Sequence, residues 1–307
     1  MPAKNEEKYI YDAIYPFLYT DRINYELIIV DDNSTDQTIS IIKKNIHKNS
    51  NIKIYENKGK GKVEALNYGY SLCSGYLIKC IDADDIIANK FFSSLPLMRG
   101  KEAHCHDALL CDEHSNNFSV FTINNKIIHE SYNHVLKNII SPPRWTWTMT
   151  RKLAEKIFPM PVSLPFEDVW FSLTIKKYAE IIHYTKKPLY FYRQHDNQTY
   201  GGIFRFDQSI IQFRSKRMLN LINVLEREAY NFFKIDDCTF EKEKIKQTLL
   251  SQNRLKIVDV IKAPVDLNTK LKILLMKKAP RLAKYASLLR WKLSSIKQKF
   301  NNQVNDS

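Results

Sequence analysis

Apolar runs alternate with helix-like segments over the first third of the chain. The runs cover residues 25–30, 51–55 and 76–81, and segments with helical spacing of apolar residues lie between them, at about 37–47 and 63–73. Strands that alternate with helices are typical of a parallel sheet with helices on its faces, and uninterrupted apolar runs fit strands buried on both faces. The pattern therefore predicts an α/β fold.

Acidic clusters follow the first and third of these runs. Residues 31–36 read Asp-Asp-Asn-Ser-Thr-Asp, and residues 82–85 read Asp-Ala-Asp-Asp. Because open α/β sheets bind ligands at the carboxyl ends of their strands, we expect both clusters to face one crevice. Asp82, Asp84 and Asp85 would repel one another unless a divalent cation lay among them, and oxygen ligands suit Mg²⁺ or Mn²⁺. A solvated acidic turn is the alternative for this short motif by itself.

A basic loop precedes the second helix-like segment. Residues 57–62 read Asn-Lys-Gly-Lys-Gly-Lys. Lysines on a loop made flexible by glycine, beside a metal cluster, suit a diphosphate, so Lys60 and Lys62 are candidate phosphate ligands. An ordinary solvated turn is the alternative.

The ordered set of motifs resembles the GT-A inverting glycosyltransferases of family 2. The resemblance covers roughly residues 1–200 in the family's order and spacing, and such a set is more specific than any one short motif. It rests on Pro2-Ala3-Lys4-Asn5-Glu6-Glu7, residues 26–36, Asn67 with Gly69, Ser74-Gly75-Tyr76, residues 82–85, Phe166-Glu167-Asp168, Tyr192-Arg193-Gln194-His195 and Thr199. The resemblance implies a Rossmann-like, mixed, mainly parallel sheet flanked by helices.

The resemblance also implies roles for individual residues. The positions implied to bind the donor nucleotide are Pro2, Asn5, Glu6, Asp32 and Asp82. Asp32 would read the nucleobase, and Asp82 and Asp84 would hold the ribose and the metal. Glu167 and Asp168 would supply the catalytic base.

One departure from the family lies at the first motif. A hydrophobic strand normally comes directly before the Pro-x-x-Asn-Glu segment, and here Met1 stands where that strand should end. A missing central strand would leave backbone hydrogen-bonding groups of its neighbours unpaired. We expect that the natural chain starts several residues upstream; a rearranged sheet or an inactive fragment is the alternative.

Candidate acceptor and base residues lie in a segment rich in proline and tryptophan. Trp145 and Trp147 have aromatic faces that suit sugars, although their alternation also fits strand residues packed in the core. Asp168 begins an apolar helical segment, and the residue pair Glu167 and Asp168 is where the family places its base. A carboxylate that only stabilises a helix N-terminus is the alternative.

Arg193 and His195 follow an apolar strand-like run. Arg193 could bind a phosphate with two hydrogen bonds, and His195 could ligate the metal or hydrogen-bond the diphosphate. An ion-paired arginine and a structural histidine are the alternatives. Another group of possible ligands, His104, Cys105 and His106 with Cys111 and His114, matches no standard zinc spacing, and a strand over residues 108–111 explains part of it better.

Composition fits a catalytic domain with an appendage. The chain has 307 residues, 44% of them hydrophobic, and five cysteines without the spacing of a disulfide framework. No uncharged apolar run approaches the ~18 residues of a bilayer span, so we expect a cytoplasmic protein. The predicted domains are residues 1–204, the glycosyltransferase domain, and residues 205–307, a helical, basic extension.

Positive charge is concentrated in the extension. Residues 241–300 contain sixteen Lys or Arg and four Asp or Glu, a net charge of +12 out of +14 for the whole chain. Apolar residues recur at helical spacing over residues 281–300, with most basic residues off that face. Such a basic amphipathic helix predicts peripheral association with the anionic inner face of the cell membrane, rather than nucleic-acid binding. A helix with a solvated basic face is the alternative.

Together these features predict an inverting glycosyltransferase. It would move a sugar from a metal-bound nucleoside diphosphate sugar to a hydroxyl of a bacterial glycan or its lipid-linked precursor. The expected donor is a UDP-sugar, and the expected cofactor is Mn²⁺ or Mg²⁺. A sugar nucleotidyltransferase is the enzymatic alternative, but it should carry a glycine-rich loop with arginine after its first strand, and none lies near Pro2. A non-catalytic membrane- or nucleic-acid-binding protein on a decayed GT-A fold is the other alternative.

Overall fold

The structure is a computed structural model that describes residues 1–20, 24–46, 49–123, 128–138, 141–165, 167–195, 208–232, 238–283 and 285. The chain divides into two compact units, Met1–Asn197 and Gln198–Ser307. Among the predicted features, Phe166, Thr199 and most of the helix expected over residues 281–300 lie outside the described residues. The boundary expected after residue 204 stays a prediction.

The strands of the first unit are β1 (Pro2–Ala3), β2 (Leu27–Asp31), β3 (Ile52–Glu56), β4 (Leu77–Lys79), β5 (Ile86–Ile87), β6 (Glu102–Cys111), β7 (Asn117–Phe121), β8 (Trp147–Thr150) and β9 (Ile181–Arg193). Its helices are α1 (Ile10–Leu18), α2 (Thr38–Ile46), α3 (Lys62–Leu72), α4 (Tyr132–Asn138), α5 (Arg151–Ile157) and α6 (Asp168–Tyr178). The expected α/β alternation is therefore present.

The strands form two sheets. The first is parallel, in the order β1-β2-β3, and every residue of β2 is buried, as its apolar run predicts. The second has the order β4-β8-β6-β9-β5, with β7 paired to β6; β6 and β9 are parallel and the other pairs are antiparallel. One hydrophobic core contacts both sheets, because Ile29 and Ile52 of the first pack in the same cluster as Ile87 and Leu189 of the second.

Two expectations about strands need correction. The strand before the second acidic cluster, β4, pairs antiparallel with β8, whereas its apolar run predicts a parallel strand. An apolar run reports burial on both faces and carries no information on direction. The strand predicted over residues 108–111 is longer, since β6 begins at Glu102 and includes His104, Cys105 and His106. Successive strand residues point to opposite faces, so Cys105 is directed away from the two histidines.

The two-residue strand β1 lies within the first motif. Its two residues pair in parallel with Val30 and Asp31 of β2. The amide of Val30 donates to the Met1 carbonyl at 2.9 Å, and the amide of Asp32 donates to the Ala3 carbonyl at 2.8 Å. The expectation that strand residues precede Met1 stays a prediction.

The second unit is helical in its described part. Its helices are α7 (Gln208–Phe232), α8 (Cys238–Ser251), α9 (Ile257–Lys262) and α10 (Leu267–Lys278). They share a core of their own, to which Leu250, Val260 and Ile273 contribute fully buried side chains. Within the described residues, no helix combines the length and apolar character needed to cross a membrane.

Candidate active site

The second acidic cluster lies between β4 and β5. Asp82, Asp84 and Asp85 place one carboxylate oxygen each within 4.8 Å of the others, and they form the one group in the described chain that could hold a metal in this way. Asp85 is buried, and its Oδ2 has no hydrogen-bond partner among the described residues. Burial and the charges of Asp84 and Asp82 raise the pKa of Asp85 well above its ordinary value. Crowded carboxylate oxygens with one unsatisfied atom fit a divalent cation of the Mg²⁺ or Mn²⁺ type.

Two residues from other elements face this cluster. Nε2 of His195 lies 3.1 Å from Oδ2 of Asp84, and the His195 ring packs 4.9 Å from that of Tyr9, centroid to centroid. Glu6, in the loop before α1, is close enough that burial and then the charges of Asp84 and Asp82 raise its pKa to about 8. Glu6, Asp84 and His195, three predicted site residues from distant segments, therefore lie together in the structure.

An arginine outside the predicted site residues joins the cluster to the predicted base. Arg144 is 1% exposed, and its guanidinium binds Asp82 and, at 2.6 Å, Oε1 of Glu167. Its backbone amide donates to Oδ1 of Asp168 at 2.7 Å. The available signal was a charged residue between Pro143 and Trp145, in a segment otherwise rich in apolar and aromatic residues.

Lys62 at the start of α3 reaches the same carboxylates. Its ammonium lies 2.7 Å from Oδ1 of Asp82 and 3.6 Å from Oε1 of Glu167. Burial opposes the charged form of Lys62, and so does Arg144, but Asp82 and Glu167 outweigh both and raise its pKa. Lys60 and Lys62 are both exposed, and the Lys62 side chain is 48% exposed. Of the two candidate phosphate ligands, Lys62 is the one brought to the carboxylates.

The neighbouring carboxylates Glu167 and Asp168 have opposite electrostatic environments. Burial acts to raise the pKa of Glu167, but Lys62 and Arg144 lower it below the ordinary value. Burial and then the charge of Glu167 raise the pKa of Asp168 to about 6. Glu167 is buried and Asp168 is partly exposed. Of the pair, Asp168 is the carboxylate that can both meet a substrate and exchange a proton near neutral pH.

Two neighbouring cations favour the ionised form of Asp82. Burial opposes its charge, but Arg144 and Lys62 lower its pKa far below the ordinary value. Its own amide donates to the hydroxyl of Tyr190 at 3.1 Å. Asp82 therefore anchors two cations. Asp84, which is partly exposed like Asp82, contacts His195.

The first acidic cluster lies at the end of β2. Asp32 is 5% exposed, and its Oδ1 accepts hydrogen bonds from the side-chain amide of Asn57 and the backbone amide of Gly61, both at 2.8 Å. Burial acts to raise its pKa, but these hydrogen bonds and Lys4 lower it. Asp32 thus fixes the basic loop against the sheet edge. The nucleobase role implied for it stays a prediction.

The first motif is held by the loop after β2. Asn5 adopts a left-handed backbone conformation with φ of 55°. Its Oδ1 accepts from the amide of Thr35 at 2.8 Å, and its own amide donates to the hydroxyl of Ser34 at 3.0 Å. Pro2 is buried in β1. These contacts order the loop that carries Glu6 into the site, and any direct donor contact by Pro2 or Asn5 stays a prediction.

Arg193 does not have the placement expected of a phosphate ligand. It is 1% exposed, its guanidinium donates to Asp12 at 2.9 Å, and it lies 4.5 Å from the centroid of the Tyr9 ring. Its backbone amide donates to Oδ1 of Asp85 at 2.8 Å. The alternative of an ion-paired structural arginine fits this geometry, because a buried guanidinium with a carboxylate partner has little freedom to meet a ligand.

Trp145 and Trp147 are not at an acceptor surface. They are 4% and 0% exposed. Trp145 stacks on Tyr190 with the ring centroids 4.8 Å apart and the planes at 8°. Side chains this deeply buried do not fit the expected contacts with an acceptor. The alternative, that the two tryptophans are strand residues packed in the core, fits both of them.

The chain matches the family described as Glycosyl transferase family 2 over residues 1–154. A relative from Haemophilus influenzae named "Uncharacterized glycosyltransferase" is 34% identical over 132 residues, 41% of this chain and 52% of the relative. An Escherichia coli relative named "UDP-Glc:alpha-D-GlcNAc-diphosphoundecaprenol beta-1,3-glucosyltransferase WfgD" is 28% identical over 191 residues, 58% of this chain and 68% of the relative. The match thus spans about half the length of the first of these proteins.

Two solved structures share the fold. Staphylococcus aureus TarS 1-349 in complex with UDP-GlcNAc has a TM-score of 0.53 at 16% identity, covering 92% of this chain and 87% of that TarS fragment. Mannosyltransferase PcManGT from Pyrobaculum calidifontis, in complex with GDP-Man and Mn²⁺, has a TM-score of 0.51 at 15% identity, covering 98% of this chain and 81% of PcManGT. The expected GT-A class of α/β fold is confirmed.

Proposed function

Because the chain belongs to glycosyl transferase family 2, we propose that it transfers a sugar, with inversion, from a nucleoside diphosphate sugar to an acceptor hydroxyl. The acceptor would be a bacterial glycan or its lipid-linked precursor. The observation that carries the proposal is the bridge formed by Arg144. This one residue binds Asp82 of the acidic cluster with its guanidinium and Asp168 with its backbone amide. A donor-side cluster and a candidate base are thereby held in one site.

The reaction would be a single displacement. The acceptor hydroxyl oxygen forms a bond to the anomeric carbon as the bond from that carbon to the diphosphate breaks, which inverts the configuration. Asp168 takes the hydroxyl proton, since its pKa of about 6 leaves it mostly ionised at neutral pH and still basic enough to accept. The nucleoside diphosphate leaves with the bonding electrons.

The negative charge of the leaving diphosphate would be neutralised at the acidic cluster. A divalent cation, when bound, would supply Lewis-acid stabilisation of the diphosphate. Asp84, Asp85 and His195 are the residues we assign to hold it, with Asp82 next to them. Lys62, half exposed and at the cluster, is the side chain we assign to the diphosphate.

The names of the relatives support the choice of donor and acceptor. WfgD is named for UDP-Glc and a diphosphoundecaprenol-linked acceptor, and the TarS structure contains UDP-GlcNAc. We therefore propose a UDP-sugar as donor and Mn²⁺ or Mg²⁺ as cofactor. The predicted location at the inner face of the cell membrane is part of this proposal.

The test begins with nucleotide binding. Thermal unfolding should shift upward with UDP plus Mn²⁺, more than with either alone, because a ligand that binds only the folded state stabilises it. GDP is the comparison nucleotide. A panel of UDP- and GDP-sugars then identifies the donor by its hydrolysis, and nuclear magnetic resonance of the transferred anomeric proton reports inversion.

Three outcomes would contradict the proposal. Absence of any nucleotide response would favour the non-catalytic alternative. Release of inorganic pyrophosphate from a nucleoside triphosphate and a sugar phosphate would favour the nucleotidyltransferase. A retained anomeric configuration would exclude the single displacement.

A further inference from the structure

The helices α9 and α10 expose large aliphatic side chains that the core of the second unit does not use. On these helices Val260 and Ile273 are fully buried. The exposed fractions of the remaining aliphatic residues are 50% for Ile257, 53% for Val258, 61% for Ile261, 71% for Leu267 and 54% for Leu271. We call these five residues the α9–α10 apolar surface. Exposed apolar clusters on a folded unit mark sites of interaction.

The spacing of these residues groups them by helix face. At ~100° per residue, Ile257, Val258 and Ile261 fall within an arc of about 100° on α9. Leu267 and Leu271 are four apart and neighbours on α10. Between them in sequence, Lys270 donates from its ammonium to the Ile261 carbonyl at 2.6 Å. This hydrogen bond holds the end of α9 against the turn of α10 that carries the two leucines.

Positive charge is concentrated in the segment that carries this surface. Residues 254–281 contain eight Lys or Arg against two Asp, a net charge of +6. One of the two acids, Asp266, is engaged as the cap of α10 and accepts from the Thr269 amide at 3.0 Å. The exposed basic residues here include Arg254, Lys256, Lys262, Lys272 and Lys278. Exposed aliphatic and exposed basic side chains therefore occur together in this stretch of the chain.

We propose that the α9–α10 apolar surface docks the protein on an anionic lipid bilayer. Aliphatic side chains would enter the interface between headgroups and acyl chains, while lysines meet the anionic headgroups and bury their methylene stems. The phosphates of a nucleic acid would bind the lysines, but they would make no favourable contact with the five aliphatic residues. A second copy with the same surface would bring two strongly positive regions together, which costs energy. The inference does not depend on the transfer reaction.

The experiment measures binding of the full chain to vesicles by co-sedimentation. Vesicles of phosphatidylcholine alone are compared with vesicles that contain one quarter phosphatidylglycerol. The surface variant is Ile257→Ser/Val258→Ser/Ile261→Ser. Its matched control is Leu97→Ser/Val162→Ser/Ile181→Ser, which removes aliphatic residues that are 79%, 65% and 50% exposed in the first unit.

We expect the wild type to bind the anionic vesicles and to be released at 1 M NaCl, where the Debye length falls to about 3 Å. The affinity of the surface variant for the anionic vesicles should be at least about tenfold lower, because the aliphatic side chains that insert into the bilayer are gone. The control variant should bind like the wild type. Asp168→Asn should also bind like the wild type, so that failure of the transfer reaction and failure of docking are told apart.

Several results would overturn the inference. One is equal vesicle binding by the surface variant and the wild type, and another is equal binding to neutral and anionic vesicles. A wild type that does not bind vesicles at all would exclude it. If light scattering shows a wild-type oligomer that the surface variant dissociates, a second copy of the chain is the occupant instead.

Discussion

Replacement of Asp168 by asparagine should affect activity and stability in opposite directions. Asparagine keeps an oxygen that can accept the Arg144 amide, which donates to Oδ1 of Asp168 at 2.7 Å. It cannot take the proton of the acceptor hydroxyl. General-base catalysis by a positioned carboxylate typically contributes ~10² to 10⁴-fold, so we expect kcat to fall by that factor. Donor affinity, which rests on other residues, should stay within a few fold.

The stability gain follows from the raised pKa. Burial and the charge of Glu167 raise the pKa of Asp168 from 3.8 to about 6. The folded chain therefore holds this proton more tightly than the unfolded chain. The resulting stabilisation is complete below pH 3.8 and is lost as the pH rises through 6. At pH 7.5 the ionised carboxylate thus costs on the order of 1–3 kcal/mol, which Asp168→Asn should recover. A gain of that size raises the melting temperature by roughly 2–10 °C.

Glu167→Gln is the matched control for this prediction. The Glu167 charge contributes to the raised pKa of Asp168, so its removal should move the acidic limb of the profile of kcat/KM against pH to lower pH. In the wild type that limb should lie near pH 6, with activity falling as the base becomes protonated. We expect a smaller loss of kcat at pH 7.5 than for Asp168→Asn. Inactivation by Glu167→Gln with an active Asp168→Asn would reverse the assignment, and full activity of both variants would place the base elsewhere.

Three further substitutions separate the roles of the surrounding residues. Asp84→Ala should abolish transfer and the Mn²⁺-dependent part of UDP binding in a thermal shift while the fold persists, and activity that survives both this change and a chelator would refute a metal role. Arg144→Lys should lower the free energy of unfolding by about 1–3 kcal/mol and reduce kcat, because a lysine cannot bind Asp82 and Glu167 in the same fork; unchanged unfolding and pH profiles would refute the bridge. Arg193→Gln should destabilise the fold by a similar amount, because it removes the buried guanidinium that pairs with the partly exposed Asp12, with the KM for donor nearly unchanged; a large rise in that KM at intact stability would restore its phosphate role.

The sequence was sufficient for the fold class because the signals involved are local. The apolar run that became β2 and the acidic residues at its end lie within a few positions of each other, so their order alone indicates a ligand-binding sheet edge. The direction of a strand is harder to predict from the sequence. β4 is antiparallel to β8, and this pairing depends on residues 147–150, about seventy positions away along the chain.

The side-chain roles that the sequence missed depend on long-range contacts. Arg193 lies in the predicted motif, yet its partner is Asp12, 181 positions away. The partners of Arg144 are Asp82 and Glu167, 62 and 23 positions away. Trp145 lies next to Arg144 and stacks on Tyr190 in the core. The assembled core decides which of these two adjacent side chains packs inward and which one binds a carboxylate. The neighbouring sequence does not indicate the choice.

The division of labour between Glu167 and Asp168 follows from the same contacts. Lys62 and Arg144 both have Asp82 and Glu167 as partners, so these two carboxylates share the two cations. Asp168 receives a backbone amide from Arg144 and is excluded from that sharing. A carboxylate held by cations is a poor base, because its ionised form is already stabilised. Glu167 is paired with both cations, and its negative charge adds to burial in raising the pKa of Asp168. One carboxylate of the pair is therefore held in ion pairs, and the other is suited to accept a proton.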